Sequence, residues 1–201
     1  MGNQDRHVTA IITAAGLSSR MGSFKPMLPL GSETISRALV RNFVAIGVDD
    51  IVMVTGNRAD ELEEHLGDLP VRFVRNPHFA TTQMSASVRL GFEAVSKDCE
   101  RILLCPVDMP LWLPTTADKL LAARASIAIP IHGGQEGHPL MLEASLLPAL
   151  LKTLDEQGLR AALEATGELI ARIPVADEGA VQDADTPEDY EKLKAILASR
   201  A

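Results

Sequence analysis

Residues 13–31 read TAAGLSSRMGSFKPMLPLG, and this stretch decides the predicted fold. The apolar run Val8–Ile12 precedes it and predicts a buried strand. The turn after that strand begins with three small residues, Ala14, Ala15 and Gly16. Their backbone N–H groups stay open to a closely approaching ligand. Arg20 and Lys25 add two cations to the same loop. This combination favours a triphosphate-binding loop over the alternative, an ordinary basic loop after a first strand.

The glycine spacing in this loop excludes two well-known phosphate-binding patterns. The P-loop needs G-x-x-x-x-G-K-[ST], whereas Gly16 and Gly22 are one residue too far apart and Lys25 does not directly follow Gly22. The dinucleotide fingerprint G-x-G-x-x-G is also absent. The loop therefore predicts a phosphate site of another kind.

The composition is that of a globular protein. The chain has 201 residues, of which 46% are hydrophobic and 23% charged, and this predicts a single domain over residues 1–201. The net charge of −8 argues against nonspecific binding to nucleic acids or membranes. Two cysteines, Cys99 and Cys105, fit a reducing compartment. The segment Met1–His7 is polar and lacks a signal-peptide core, and no apolar run is long enough to span a bilayer. We therefore expect a cytoplasmic protein.

Strand and helix patterns alternate along the chain, which is typical of an α/β fold with a mostly parallel sheet. The predicted strands are Val8–Ile12, Ile51–Thr55, Val71–Val74, Ile102–Val107, Ser126–Ile131, His138–Leu142 and Ile170–Val175. The predicted helices run from Ser32 or Thr34 to Ile46, Ala59–Leu66, Val88–Val95 and Leu113–Ala125, with a C-terminal helix for which Asp185 is the predicted N-cap.

Hydrogen-bonding groups are concentrated at residues 76–87, NPHFATTQMSAS, just before the third predicted helix. The candidate ligand-binding residues in this segment are Asn76, Ser85 and Ser87. Free N–H groups at a helix N-terminus favour anions and polar ligands, so the segment is a candidate nucleotide-binding loop. The alternative is a loop whose serines serve only to cap the helix.

Acidic residues follow two of the predicted strands. Asp108 follows the fourth strand, at the edge where parallel sheets bind ligands, and a carboxylate there suits Mg²⁺. Its alternative role is a helix cap. Asp183 and Asp185 follow the last predicted strand. The N-cap role accounts for Asp185 but leaves Asp183 unexplained.

These motifs together resemble the MobA-like nucleotidyltransferase family, whose signature is roughly A-[AG]-G-x-S-x-R-M-G-x-x-K-P-L-L-P. The sequence AAG at residues 14–16 is similar to its molybdenum cofactor cytidylyltransferase branch. Further matches lie at residues 76–87, 108–110, 137–140 and 183–189. The resemblance implies a three-layer α/β/α Rossmann-like fold with a mostly parallel sheet. The chain departs from the family pattern at Gln83, where glycine is common, and at residues 156–160, where a Gly-Asp pair is missing.

The resemblance implies transfer of a nucleotidyl group from an NTP to a phosphorylated acceptor, with release of pyrophosphate. CTP is the favoured nucleotide and molybdopterin carrying molybdenum is the favoured acceptor, while a client molybdoenzyme is a candidate partner. Two alternatives stay open. One is a nucleotidyltransferase that acts on sugar 1-phosphates or other small molecules. The other is a noncatalytic nucleotide-binding accessory protein for molybdoenzyme maturation.

The resemblance also assigns roles to particular residues. Lys25, Arg20 and Asp108 are the expected catalytic residues. The expected nucleotide-binding residues are Ala14, Ala15, Gly16, Arg20, Lys25, Asn76, Ser85 and Ser87. Mg²⁺ is expected on Asp108, Asp185 and Asp183. His138 is the expected acceptor-binding residue, with a purely structural role as its alternative. The methyl group of Ala15 is expected to disfavour a purine base and so to favour CTP over GTP.

Overall fold

An eight-stranded mixed sheet forms the centre of the computed structural model, which describes residues 7–200. The strands are β1 (Val8–Ala14), β2 (Pro29–Leu30), β3 (Glu33–Thr34), β4 (Asp50–Thr55), β5 (Arg72–Arg75), β6 (Arg101–Pro106), β7 (Ile127–His132), β8 (Gln135–Glu136), β9 (Leu140–Glu143) and β10 (Ile170–Pro174). The helices are α1 (Ile35–Ala45), α2 (Ala59–His65), α3 (Met84–Glu93), α4 (Pro114–Leu121), α5 (Leu147–Ala165) and α6 (Pro187–Ser199). The expectation about the polar segment at residues 1–6 lies outside the described residues.

The sheet is parallel except around two strands. Its order is β10-β7-β9-β6-β1-β4-β5, and β1 pairs in parallel with both β4 and β6. Strand β9 lies between β6 and β7 and runs antiparallel to both, while the short β8 pairs antiparallel with β7. Strands β2 and β3 form a separate two-stranded hairpin. The predicted mostly parallel sheet is confirmed.

Neighbouring residues of the central strand pack into different helical layers, because side chains alternate across a sheet. Ile12 belongs to the core cluster that contains Leu39 and Phe43 of α1. Ile11 belongs to the cluster that contains Val88 and Phe92 of α3. The sheet therefore carries helices on both faces, as the predicted three-layer fold requires. Across residues 7–200, no helix is long and apolar enough to cross a lipid bilayer.

Helix caps confirm one expectation and correct another. Thr34 caps α1, because its side-chain oxygen accepts a hydrogen bond from the backbone N–H of Arg37 (3.4 Å). The predicted N-cap of the C-terminal helix, Asp185, is wrong: Thr186 is the N-cap and accepts from the N–H of Asp189 (3.2 Å). Both residue types cap helices well, so the sequence DTPED does not decide between them. The Asp185 carboxylate is left to form other contacts.

Helix α6 packs against the segment that joins β1 to α1. A separate core cluster joins Met21, in the loop after β1, and Leu30 of β2 to Leu193 and Ile196 of α6. The hydroxyl of Tyr190 also donates to the Pro29 carbonyl. The C-terminal helix therefore supports the loop that carries Arg20 and Lys25, although the two are far apart in sequence.

Within the segment between β10 and α6, residues 177–184 are held by hydrogen bonds at both ends. Asp177 is 2% exposed and accepts hydrogen bonds from the Leu113 N–H (2.7 Å), the Thr116 hydroxyl (2.6 Å) and Arg200 (2.8 Å). At the other end, the Ala184 N–H donates to the Asp108 carbonyl (3.0 Å). The segment thus delivers Asp185 to the edge of the sheet where β6 ends.

Candidate active site

A cleft of about 260 Å³ opens where β1 and β6 end. Parallel strands bring their carboxyl ends to one edge, so the turn after β1 and the residues after β6 meet there. The residues that line the cleft are Thr13, Ala14, Ala15, Gly16, Leu17, Ser18, Ser19, Arg20, Lys25, Pro26, Phe79, Thr82, Gln83, Met84, Ser87, Pro106, Val107, Asp108 and Asp185. Segments distant in sequence therefore form one site.

The turn after β1 leaves room for a ligand. A Cβ atom added at Gly16 would meet no other atom within 4 Å, so this glycine faces open space. Farther along the loop, Ser18 and Gly22 adopt positive φ angles of 54° and 69°. The Ser18 side-chain oxygen accepts a hydrogen bond from the backbone N–H of Lys25 (3.3 Å). This bond folds the loop back so that Lys25 faces the cleft.

Lys25 lies between two carboxylates. Its Nζ atom is 3.1 Å from Asp108 Oδ2 and 2.5 Å from Asp185 Oδ1, and the residue is only 8% exposed. Burial lowers the pKa of the Lys25 amine, but hydrogen bonds and charges from Asp185 and Asp108 outweigh burial and raise it above its ordinary value. Lys25 therefore stays protonated across the physiological pH range.

Arg20 extends the same charged group toward solvent. Its Nη2 atom is 2.7 Å from Asp185 Oδ2, so the two oxygens of Asp185 bind two different cations. The Arg20 side chain is 70% exposed, whereas that of Lys25 is 9% exposed. An exposed guanidinium can turn toward an incoming anion at little cost, because surface ion pairs contribute little to stability. Arg20 and Lys25 thus present one movable and one fixed cation.

Asp183 and His138 lie near Asp108 but do not line the cleft. Burial, followed by the charges of Asp185 and Asp108, raises the pKa of the Asp183 carboxyl. The His138 Nδ1–H donates to the Leu104 carbonyl (3.3 Å), and burial lowers the pKa of its imidazole. The backbone N–H of His138 also donates to the Ala180 carbonyl (2.8 Å). These contacts are those of a structural histidine, and they favour the structural role of His138 over acceptor binding.

Asn76 organises the wall of the cleft opposite the β1 turn. It is 3% exposed, and its side-chain amide donates to the hydroxyl oxygens of Ser87 (3.0 Å) and Thr82 (3.3 Å). Its carbonyl oxygen accepts from the backbone N–H of His78 (2.9 Å). Among the predicted nucleotide-binding residues of this segment, Ser87 lines the cleft, whereas Asn76 and Ser85 do not.

The two walls approach each other at Gly56. A Cβ atom at this position would lie 2.7 Å from the Phe79 Cβ and 2.9 Å from the Ala15 Cβ, distances that real side chains do not adopt. Ala15 itself is 4% exposed. The Ala15 methyl therefore packs against Gly56 and offers little surface to a base, which removes the steric basis of the expected effect of this methyl on purines.

Several cleft residues were not identified from the sequence as site residues. Phe79, Thr82, Gln83 and Met84 line one wall, and Leu17 lines the other. The sequence contained a signal for two of them. Leu17 lies in the glycine-containing turn and Met84 follows the polar segment before α3, so both are large apolar residues close to a predicted ligand. Their convergence on one cleft depends on the tertiary fold.

The acidic residues fit a hard divalent cation that also binds phosphate. Asp108 and Asp185 supply oxygen donors only, which suits Mg²⁺ better than metals that prefer nitrogen or sulfur. Within residues 7–200, no group of three or more His, Cys, Asp or Glu side chains is arranged to hold a metal ion by itself. Mg²⁺ commonly binds through one or two carboxylates together with substrate phosphates, so a two-carboxylate site agrees with that chemistry.

Comparison with known proteins adds four similarities. A family model described as the MobA-like NTP transferase domain matches residues 10–170. The chain is 32% identical to the molybdenum cofactor cytidylyltransferase of Escherichia coli K12, over 91% of this chain and 93% of that protein. It is 30% identical to the nicotine blue oxidoreductase of Paenarthrobacter nicotinovorans, over 96% and 100%. A solved nucleotidyl transferase from Methanothermobacter superposes with a TM-score of 0.85 at 27% identity, covering 97% of this chain and 99% of that one.

Proposed function

The chain belongs to the MobA-like NTP transferase family, and on this basis we propose that it transfers a cytidylyl group from CTP to the phosphate of molybdopterin carrying molybdenum. The observation that carries the proposal is the position of Lys25 between Asp108 and Asp185 inside the cleft. A buried lysine held by two acids at the carboxyl edge of a parallel sheet is placed to bind phosphate oxygens. The similarity to the cytidylyltransferase of Escherichia coli supports the choice of nucleotide and acceptor.

In the proposed reaction, an oxygen of the acceptor phosphate attacks the α-phosphorus of CTP. The new P–O bond forms as the bond between the α-phosphorus and the bridging oxygen breaks, and the electron pair leaves with pyrophosphate. Such transfers depend mainly on positioning and on stabilising negative charge. Lys25 would contact the α-phosphate from its fixed position. Arg20 would turn from Asp185 toward the outer phosphates.

Asp108 and Asp185 would hold Mg²⁺, and Asp183 would add negative charge near these two carboxylates. When bound, Mg²⁺ would neutralise phosphate charge and align the nucleotide with the acceptor. Lys25 and Arg20, the two cations that contact Asp185, would bind the triphosphate.

We propose that the reaction takes place in the reducing cytoplasm, because Cys99 and Cys105 are buried free thiols. The product would pass to a client molybdoenzyme. We propose that the whole chain, residues 1–201, acts as a single domain. His138 would act at most by holding the loop before β9 near Asp108, because its ring bonds to the backbone.

The proposal is tested with purified protein, Mg²⁺, each of the four NTPs and the molybdenum-loaded pterin. Calorimetry measures binding, and a coupled assay measures pyrophosphate. We expect CTP to bind more tightly than GTP, and pyrophosphate to appear only when the acceptor is present. Tighter binding of GTP would contradict the base assignment. Pyrophosphate release with a sugar 1-phosphate instead of the pterin would replace the acceptor, and binding without any release would favour the noncatalytic accessory protein.

A further inference from the structure

The cleft has one charged end and one uncharged wall. Its charged side chains are Arg20, Lys25, Asp108 and Asp185, all on the turn after β1, at the end of β6 or before α6. The wall formed by residues 79–87 contributes uncharged side chains, namely Phe79, Thr82, Gln83, Met84 and Ser87. The phosphates of a nucleoside triphosphate pair with cations, so the base of a bound nucleotide falls against the uncharged wall.

Among the polar side chains of that wall, Gln83 keeps both its hydrogen-bond donor and its acceptor available to a ligand. Thr82 donates its hydroxyl to the His78 carbonyl (2.9 Å) and accepts from Asn76, and Ser87 also accepts from Asn76. The exposed Gln83 side chain makes no hydrogen bond to any group within residues 7–200. It stands at the N-cap position of α3 without capping the helix. Its amide can therefore bind a ligand without giving up a contact.

Large apolar side chains border the same cleft on both sides. Leu17 is 53% exposed on the turn after β1, and Met84 is 67% exposed at the start of α3. A flat aromatic ring placed between them would cover apolar surface that is otherwise in water. Ligand sites commonly combine such apolar walls with a few polar groups that fix orientation. Gln83 is adjacent to Met84 and is suited to that polar role.

We infer that Gln83 reads the hydrogen-bonding edge of the pyrimidine base, and that it serves CTP and UTP alike. The inference rests on the proposed function, since it assumes that an NTP occupies this cleft. An amide side chain carries one acceptor oxygen and one donor nitrogen. Facing cytosine, its oxygen accepts from the exocyclic amine while its nitrogen donates to N3. Rotated by half a turn, it donates to O4 of uracil and accepts from N3–H.

Guanine differs from both pyrimidines at the corresponding edge. Beside O6 it offers two adjacent donors, N1–H and the exocyclic amine. A glutamine amide can pair with O6 and N1–H, but it cannot accept from both donors. A glutamate carboxylate can accept from both, whereas it has no donor for N3 of cytosine or O4 of uracil. Replacing Gln83 by Glu should therefore shift preference from CTP toward GTP. The two side chains have the same length, so the exchange changes which hydrogen bonds the base can form without changing the size of the cleft.

The test is calorimetric titration of CTP, UTP, GTP and inorganic tripolyphosphate into the wild type, Gln83→Ala, Gln83→Glu and Thr81→Ala. We expect CTP and UTP to bind the wild type within about tenfold of each other. Gln83→Ala should weaken both by about 3- to 30-fold, the loss of one or two neutral hydrogen bonds. Gln83→Glu should raise GTP affinity relative to CTP by about tenfold or more. Thr81 is in the same loop and does not line the cleft, so Thr81→Ala should match the wild type.

Tripolyphosphate lacks a base, so its affinity shows whether a variant alters the phosphate-binding part of the cleft as well as the contacts to the base. Its affinity should stay the same in Gln83→Ala. Gln83→Glu adds a negative charge to the cleft and should weaken every phosphate ligand, so the ratio of GTP to CTP affinity is the measurement for that variant. Unchanged CTP and UTP affinities in Gln83→Ala, or an equal loss of tripolyphosphate binding, would overturn the inference. If nucleotides bind the wild type but Lys25→Ala leaves tripolyphosphate binding intact, the proposed function fails instead. If no nucleotide binds the wild type, both are wrong.

Discussion

The backbone N–H of Ala184 donates a hydrogen bond to the carbonyl oxygen of Asp108, at 3.0 Å. This bond joins the end of β6 to the segment before α6, and it places the carboxylates of Asp108 and Asp185 beside the same lysine. The two acids would repel each other without a cation between them. Backbone geometry therefore creates the negative site, and Lys25 balances it.

Replacing Lys25 by Ala is predicted to lower the rate of nucleotidyl transfer by about 10²- to 10³-fold, the usual cost of removing one group that stabilises transition-state charge. The fold should stay intact because the apolar core is unchanged, although the free energy of unfolding should fall, since Asp108 and Asp185 then lack the cation between them. Steady-state pyrophosphate release measures the rate, and circular dichroism checks the fold. Lys192, an exposed lysine of α6 paired with Asp189, provides the control, and Lys192→Ala should keep full activity. Activity of Lys25→Ala within a factor of a few of the wild type would remove Lys25 from the mechanism.

Asp185 and Thr186 are neighbours with separable roles. Asp185→Asn should lower the transfer rate by about 10²-fold and raise the Mg²⁺ concentration needed for half-maximal rate, because it removes a metal-binding charge. The free energy of unfolding should fall by about 1–2 kcal/mol, because the Lys25 amine loses one of its two acids while the asparagine keeps an acceptor oxygen for it. Thr186→Ala should lower that free energy by about 1 kcal/mol through loss of the cap and leave the rate nearly unchanged. Unchanged Mg²⁺ dependence in Asp185→Asn would contradict the two-carboxylate site.

Asp177 is predicted to matter for stability more than any exposed acid. Asp177→Ala should lower the free energy of unfolding by about 2–4 kcal/mol, because it leaves the Leu113 N–H, Thr116 and Arg200 without their buried acceptor. Urea unfolding at pH 7.5 measures the change. Asp118→Ala, at an exposed position of α4, serves as the control and should stay within about 0.5 kcal/mol of the wild type. Equal stabilities of the two variants would show that these contacts contribute nothing net.

The buried imidazole of His138 should make the free energy of unfolding decrease as the pH falls. Burial lowers the pKa of its imidazole in the folded protein, so below the ordinary pKa of about 6.5 the unfolded chain binds more protons than the folded one. This contribution to stability is present above that pH and is lost as pH falls. Urea unfolding at pH 7.5 and 5.5 should therefore show a smaller decrease for His138→Asn than for the wild type. Asn keeps a donor for the Leu104 carbonyl, and parallel pH profiles of the two proteins would contradict the prediction.

Much of the fold was predictable because it depends on local patterns. Buried strands such as β4 and β6 are continuous apolar runs, and Thr34 precedes a helix with apolar residues at helical spacing. Strand boundaries shifted by about one residue, as in β5, where the frayed end is partly exposed. Helix α5 was not predicted. Gly158 interrupts it with φ 76° and ψ 170°, so the chain there reads as two short amphipathic pieces.

The site was less predictable because it depends on long-range contacts. The sequence placed Lys25, Asp108 and Asp185 at the same edge of the sheet, but their bonds span 83 and 160 positions along the chain. Burial of Lys25 and the attachment of Asp185 to two cations follow from that packing. The choice of Thr186 over Asp185 as the helix cap has the same origin, since a carboxylate held by Lys25 and Arg20 is unavailable to the helix.

The insertion of β9 between β6 and β7 has a consequence for the order in which a growing chain can fold. Strands β1, β4, β5 and β6 pair with one another, so half of the sheet can assemble once residue 106 has left the ribosome. Strand β7 has no place beside β6 until β9 has been synthesised, and Asp185 arrives later still. No shortened translation product that ends before residue 185 can contain the complete charged group. Premature termination would therefore yield a protein with a cleft but without the acid that completes it.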